Sequence, residues 1–136
     1  MNVFVHGAVG AAAGSLTGSP VLALPAGLAS HIPLDVVPHY DFEDVRLDVA
    51  LLAVVAAGLA LAGAATLPVM LGLLGGALPD LENLHIKLGL LAEEERRWPT
   101  HSGLLPHGRL AARGPSLALQ VLLVALAVAV ALAARR

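Results

Sequence analysis

Apolar residues fill this chain in long runs, and the polar residues are gathered into the gaps between them. The last run, from about Leu117 to Ala134, is opened by Pro115-Ser116 and closed by Arg135 and Arg136. It approaches the ~20 residues needed to cross ~30 Å of hydrocarbon. A second clear run extends roughly from Val49 to Leu67, and Pro68 then starts a shorter one, PVMLGLLGGALPD, that ends at Pro79-Asp80. From Val3 to Ile32 the only ionisable side chains are histidines. One helix of that length, at ~1.5 Å per residue, would measure about 45 Å, which is long for a bilayer. The segment TGSP, Thr17 to Pro20, divides it, with Pro at a helix-start position. The pattern predicts five short helices at about 3–17, 20–32, 46–66, 68–79 and 115–134, with a polar loop over 80–114. The expected fold is an all-α integral membrane helical bundle, one domain over 1–136, running alternately up and down.

That topology sorts the polar residues. Every acidic residue falls in Asp35–Asp48 or in Asp80–Glu95, and the histidines are His6, His31, His39, His85, His101 and His107. Five helices put all of them at one membrane face. A different helix count would strand carboxylates in lipid at about 2.5–3.5 kcal/mol each. Arg46, Lys87, Arg96, Arg97, Arg109 and Arg113 share that face, against Arg135 and Arg136 opposite. Basic residues in short loops stay cytoplasmic. The polar face is therefore expected in the cytoplasm, and the localisation at a bacterial inner membrane.

Composition supports the lipid reading: 57% of the residues are hydrophobic and 13% charged, against roughly 25% charged in soluble domains. At 3% aromatic and net charge -2 there is no stacking surface or basic footprint for nucleic acid. The absence of cysteine excludes disulfides, thiolate zinc sites and cysteine nucleophiles. The N-terminus lacks the basic region of a cleaved signal peptide, so insertion is expected to use the mature helices.

Three helices carry small residues every fourth position. These are His6-Gly10-Gly14-Gly18, Ala23-Gly27-His31-Asp35 and Gly72-Gly76-Asp80. Residues at i and i+4 stack on one helix face, and small ones let membrane helices approach closely. Each stripe includes a possible metal ligand near the polar face. His31 and Asp35 are the sharpest pair, offering an imidazole and a carboxylate to one cation, as zinc prefers. Pro33 between them is expected to end or kink the helix. GALPDLENLH adds Asp80, Glu82 and Asn83, and PTHSGLLPHG adds Thr100, His101 and Ser102. His107 is read as a loop histidine outside the site. AEEERRW, Ala92 to Trp98, is read as a solvated charge run. Glu43 and Asp44 suit the capping of the following helix.

The order of early His6, SHIPLD, GALPDLE and THS resembles the membrane-bound metal-dependent hydrolase family, described as LexA-binding, inner-membrane-associated hydrolases. That family's pattern has an N-terminal His, an H-x-x-x-D, a G-x-L-x-P-D-x-D-H type motif and an H-R-G-x-T-H-S type motif. Here SHIPLD precedes GALPDLE, Glu82 and Asn83 stand at the Asp and His after Pro-Asp, and Arg96 stands at the His of H-R-G. The resemblance implies a divalent metal site, with zinc expected. His6, His31, Asp35, Asp80 and His101 are its ligands, and Asp41, Glu82 or His39 serves as general base. The expected activity is hydrolysis of a phosphoester or ester at the membrane interface, with the lipid bilayer and a lipid-like substrate as partners. The alternative is a non-catalytic membrane protein with a structural metal or His/Asp network, and the third reading is a metal or proton transporter. Oligomeric state stays open.

Overall fold

The computed structural model describes residues 1–108 and 112–134; Arg109, Arg135 and Arg136, which entered the charge argument, lie outside them. Ala and Leu supply helix propensity throughout, so the breakers set the boundaries. α1 spans Val3–Thr17 and ends where Gly18 turns left-handed at φ 60, a conformation that costs glycine nothing. Pro20 then opens α2, Pro20–Val36. Asp44 caps α3, Val45–Leu61, by accepting from the Arg46 N–H at 2.8 Å. α4 covers Leu67–Ala77 and tightens into a 3-10 turn, Leu78–Asp80, which feeds the short α5, Leu81–Lys87. A loop with one more 3-10 turn at Glu93–Glu95 leads to α6, Arg113–Ala133. No strand occurs among the described residues.

Two boundaries depart from the sequence expectation for physical reasons. α2 does not stop at Ile32: it carries Pro25 and Pro33 inside and continues to Val36. Pro33 is exposed, while Leu34 and Asp35 beyond it are buried. Burial of the last turn outweighs the one backbone bond that proline removes. α3 stops at Leu61 rather than 66, because Gly63 takes φ 68 and turns the chain. α5 lies in a segment expected to be loop.

The bundle is built around α1, which packs against α2, α3, α4 and α6. Its closest partner is α4, and glycine is the reason. A Cβ on Gly10 would overlap the Gly72 carbonyl oxygen, one on Gly14 the Pro68 carbonyl oxygen, and one on Gly76 the His6 carbonyl oxygen. Gly27 on α2 meets the same Gly72 carbonyl. The three small-residue stripes therefore face one another and bring three backbones into contact. The pairing of His6 with Gly76 and Gly14 with Pro68 makes α1 and α4 antiparallel. Asp48 meets Val3 and Phe4 while Leu52 meets Gly7, and Gln120 meets Asn2 while Ala127 meets Ala8 and Ala12, so α3 and α6 run parallel to α1. The alternation expected from sequence is reproduced. The start of α1, the end of α2, the start of α3, the end of α4 and the start of α6 lie at one end of the bundle.

That end is fastened by buried polar side chains. Asp48 of α3 accepts from the free N–H groups of Val3 and Phe4, at 2.9 and 3.2 Å, in the first turn of α1. Asn2 donates to Gln120 of α6 at 2.7 Å, and both amides donate to the Tyr40 carbonyl. Elsewhere the surface is apolar: Leu16, Val21, Leu22, Leu61 and Leu67 are all more than half exposed. α6 is the one described helix both long and apolar enough to cross a membrane.

Candidate metal centre

Asp35 is the hub. It is fully buried in the last turn of α2, and its two oxygens face different neighbours. Oδ1 lies 3.1 Å from His6 Nε2 on α1, while Oδ2 lies 3.1 Å from His31 Nε2 and 3.3 Å from His101 Nε2. Thr100 donates its hydroxyl to Oδ2 at 2.6 Å. Asp80, from the turn after α4, puts Oδ1 3.8 Å from His101 Nε2. All five residues expected as ligands are thus brought together, from α1, α2, the α4–α5 junction and the loop before α6.

The ring orientations matter more than the proximity. His31 Nδ1 sits 2.8 Å from the Gly76 carbonyl oxygen. Only an N–H can make that bond, so Nδ1 carries a proton, and in the neutral ring Nε2 presents a lone pair. A backbone carbonyl that fixes a ligating imidazole in this way is the usual outer support of a metal site. The His6 ring stacks on His31 with centroids 3.6 Å apart. Trp98 packs edge-on to His31 at 5.6 Å, so it belongs to this site and not to a solvated charge run.

Buried polar atoms without a hydrogen bond gather here. Both ring nitrogens of His6 and of His101, Nε2 of His31 and Oδ2 of Asp80 make no well-formed hydrogen bond, although four of the ring nitrogens lie 3.1–3.4 Å from a carboxylate oxygen. Each unsatisfied buried group costs about 1–3 kcal/mol. The pattern is explained if the missing partner is a cation, because imidazole lone pairs and carboxylate oxygens are what a divalent metal requires. Two trios offer ligand atoms all within 4.8 Å of one another, His6/His31/Asp80 and His31/Asp35/His101. Burial pushes the Asp80 carboxyl up to about 6, against weaker opposing pulls from His31 and His101.

The residues expected as general bases fall into distinct places. Glu82 is turned to the loop: it accepts from the Arg97 and Trp98 N–H groups at 2.9 and 3.0 Å and lies 3.4 Å from His101 Nδ1. It positions His101. His39 is buried, with Nε2 3.2 Å from Asp41 Oδ2. Asp41 is about half exposed and lines a cleft of about 770 Å³. Burial would raise its carboxyl, but His39 and the Met1 amino group hold it at about 2. His107, read from sequence as outside the site, lies with Nδ1 3.7 Å from Asp35 Oδ2. Its partial burial lowers its affinity for a proton.

The same cleft is lined by Asp80, Thr100, His101 and His107 and by the apolar Val49, Leu52, Leu84 and Ile86, with Lys87 and Arg96 also in its lining. Asn2 and Gln120 were missed by sequence reasoning. Gln120 had a visible signal, as a lone amide inside the most apolar run. The chain matches no protein-family model, no curated protein and no solved structure.

Proposed function

We propose that this chain is a membrane-embedded, divalent-metal-dependent hydrolase that cleaves a phosphoester or ester at the bilayer interface, with zinc as the metal. The observation that carries the reading is the convergence of buried ligand atoms from His6, His31, Asp80 and His101, of which Asp80 and His101 line the cleft. A bound divalent cation supplies Lewis-acid polarisation of a phosphoryl or acyl oxygen and acidifies water near neutral pH. The chain's own residues do the rest. The Gly76 carbonyl orients His31, Thr100 orients Asp35, and Glu82 lies against His101. Asp41, ionised across the neutral range, accepts a hydrogen bond from water and orients it.

The cleft favours catalysis over a structural metal. A structural site closes its coordination sphere, whereas a catalytic one keeps a position open. Here the ligands Asp80 and His101 line a space of about 770 Å³ whose lining is also apolar in part. Lys87 and Arg96 suit an anionic head group, and the apolar lining suits its chain. The exposed leucines and valines away from this end suit lipid, and the basic residues of the polar loops suit a cytoplasmic placement of that end in an inner membrane.

The test uses the full chain in detergent micelles, with zinc content and hydrolysis of bis(p-nitrophenyl) phosphate, p-nitrophenyl acetate and a phospholipid in mixed micelles measured together. The wild type should bind zinc and cleave one of the three. His31→Ala should bind less zinc than the wild type and lose the cleavage. Metal-free wild type that cleaves as fast as the loaded protein would end the reading.

A further inference from the structure

A third trio of ligand atoms lies beside the first two: Asp35, His39 and His107, all within 4.8 Å of one another. Simple valence decides how many of the three trios can be filled. The first two share His31, whose Nδ1 proton is committed to the Gly76 carbonyl. Its single remaining lone pair, on Nε2, serves one ion, so those trios describe one cation position and not two. The third trio shares only Asp35 with the second and nothing with the first. A carboxylate has two oxygens and can bridge. We infer that the site holds two divalent cations, the second on Asp35, His39 and His107, with Asp35 between the two.

Three features of this corner were not needed to describe the first position. The first is the His39 tautomer. His39 Nδ1 sits 2.7 Å from the Val37 carbonyl oxygen and must donate to it, so in the neutral ring Nε2 is a lone pair, and the Met1 amino nitrogen now contacts it. The second is the loop that carries His107. Gly108 donates its N–H to the Asp35 carbonyl at 2.6 Å, and it packs so tightly on Val37 that a Cβ would overlap the Val37 carbonyl oxygen. The histidine is held against the end of α2 rather than hanging in solvent. The third is charge. The Met1 amino nitrogen lies among Asp35, His39 and Asp41, 3.3 Å from Asp35 Oδ1 and 3.3 Å from Asp41 Oδ1. A positive group is what these acceptors draw in. Among the described residues no Lys or Arg side chain pairs with Asp35, Asp41 or Asp80. Three carboxylates set among imidazoles are better matched by two divalent cations than by one.

The inference rests on the metal reading proposed above, and bound-ion counting separates the two. Full-length protein in detergent is stripped with a chelator, loaded with zinc, desalted and assayed for zinc per chain. Wild type should keep about two ions. His107→Ala, at a half-exposed position that tolerates truncation, should keep about one, and the affinity for the other should fall at least tenfold. His39→Gln should behave alike and guards against a folding artefact in either variant. His31→Ala should spare the second position. Wild type saturating at one ion, with the amino group holding the second position, would overturn the inference, as would unchanged zinc content and affinity in both His39→Gln and His107→Ala. Two ions without hydrolysis would leave it standing and remove the hydrolase; one ion with hydrolysis would do the reverse.

Discussion

At the scale of single residues, the distinction that matters is between touching the cation and holding what touches it. Glu82 illustrates it. A general base would lie open to the cleft, yet this carboxylate accepts from two backbone N–H groups of the 97–98 segment and supports His101. Outer-shell partners of this kind typically affect metal affinity by about 10–100-fold. Glu82→Ala should therefore weaken zinc binding by about that factor, measured against a chromophoric chelator, while Glu94→Ala at an exposed neighbouring position should not. Unchanged affinity combined with lost turnover would make Glu82 the base after all. The ligands His31 and Asp35 were legible as an i, i+4 pair, and His6 and Asp80 as residues on glycine stripes, because helical periodicity is local. The place of His107 was not. It depends on the Gly108 N–H reaching the Asp35 carbonyl across the loop, and no spacing rule encodes that.

At the scale of helices, close backbone approach governs the architecture. The stripes on α1, α2 and α4 were readable because small residues recur at the helical period. Their sharpest consequence is that even a methyl group does not fit. Gly72→Ala would push a Cβ into the Gly10 carbonyl oxygen and to 2.8 Å from Gly14 Cα, and neither backbone can yield alone. It should destabilise the bundle by about 1–3 kcal/mol through overpacking. Gly58→Ala, inside α3 with open space around the new methyl, should instead stabilise by about 0.5–1 kcal/mol. Thermal unfolding in one detergent distinguishes them, and equal melting temperatures would discredit the stripe as a packing device. The same scale shows where local rules failed. Pro33 argues for a helix end, but the next two residues, Leu34 and Asp35, are both buried, and tertiary contact kept α2 helical. α5 was invisible because a seven-residue helix carries too little periodicity to stand out.

At the scale of the whole molecule, the asymmetry between the two ends is the main fact. The end that holds Asp35, Asp80 and His101 is rich in charge and hydrogen bonds. The other presents the turns 18–19 and 62–66, with Leu16, Val21, Leu61 and Leu67 exposed nearby and no acidic or basic side chain in those turns. α1 is only about 22 Å long by helical rise, shorter than a bilayer core. In the membrane reading proposed above, a bundle of such helices would span by thinning the lipid around it, while α6, about 32 Å, would match the full thickness. The apolar turns then have to reach the far surface, which makes the orientation measurable. Because the chain has no native cysteine, single cysteines report without background. Ala65→Cys, in the exposed turn before α4, and Glu94→Cys, in the polar loop, should react with a membrane-impermeant maleimide from opposite sides of sealed vesicles, Glu94→Cys from the cytoplasmic side. Reaction of both from one side would mean that the four shorter helices lie in one leaflet with only α6 crossing. The metal centre would then keep its geometry, but its cleft would face a different depth of lipid.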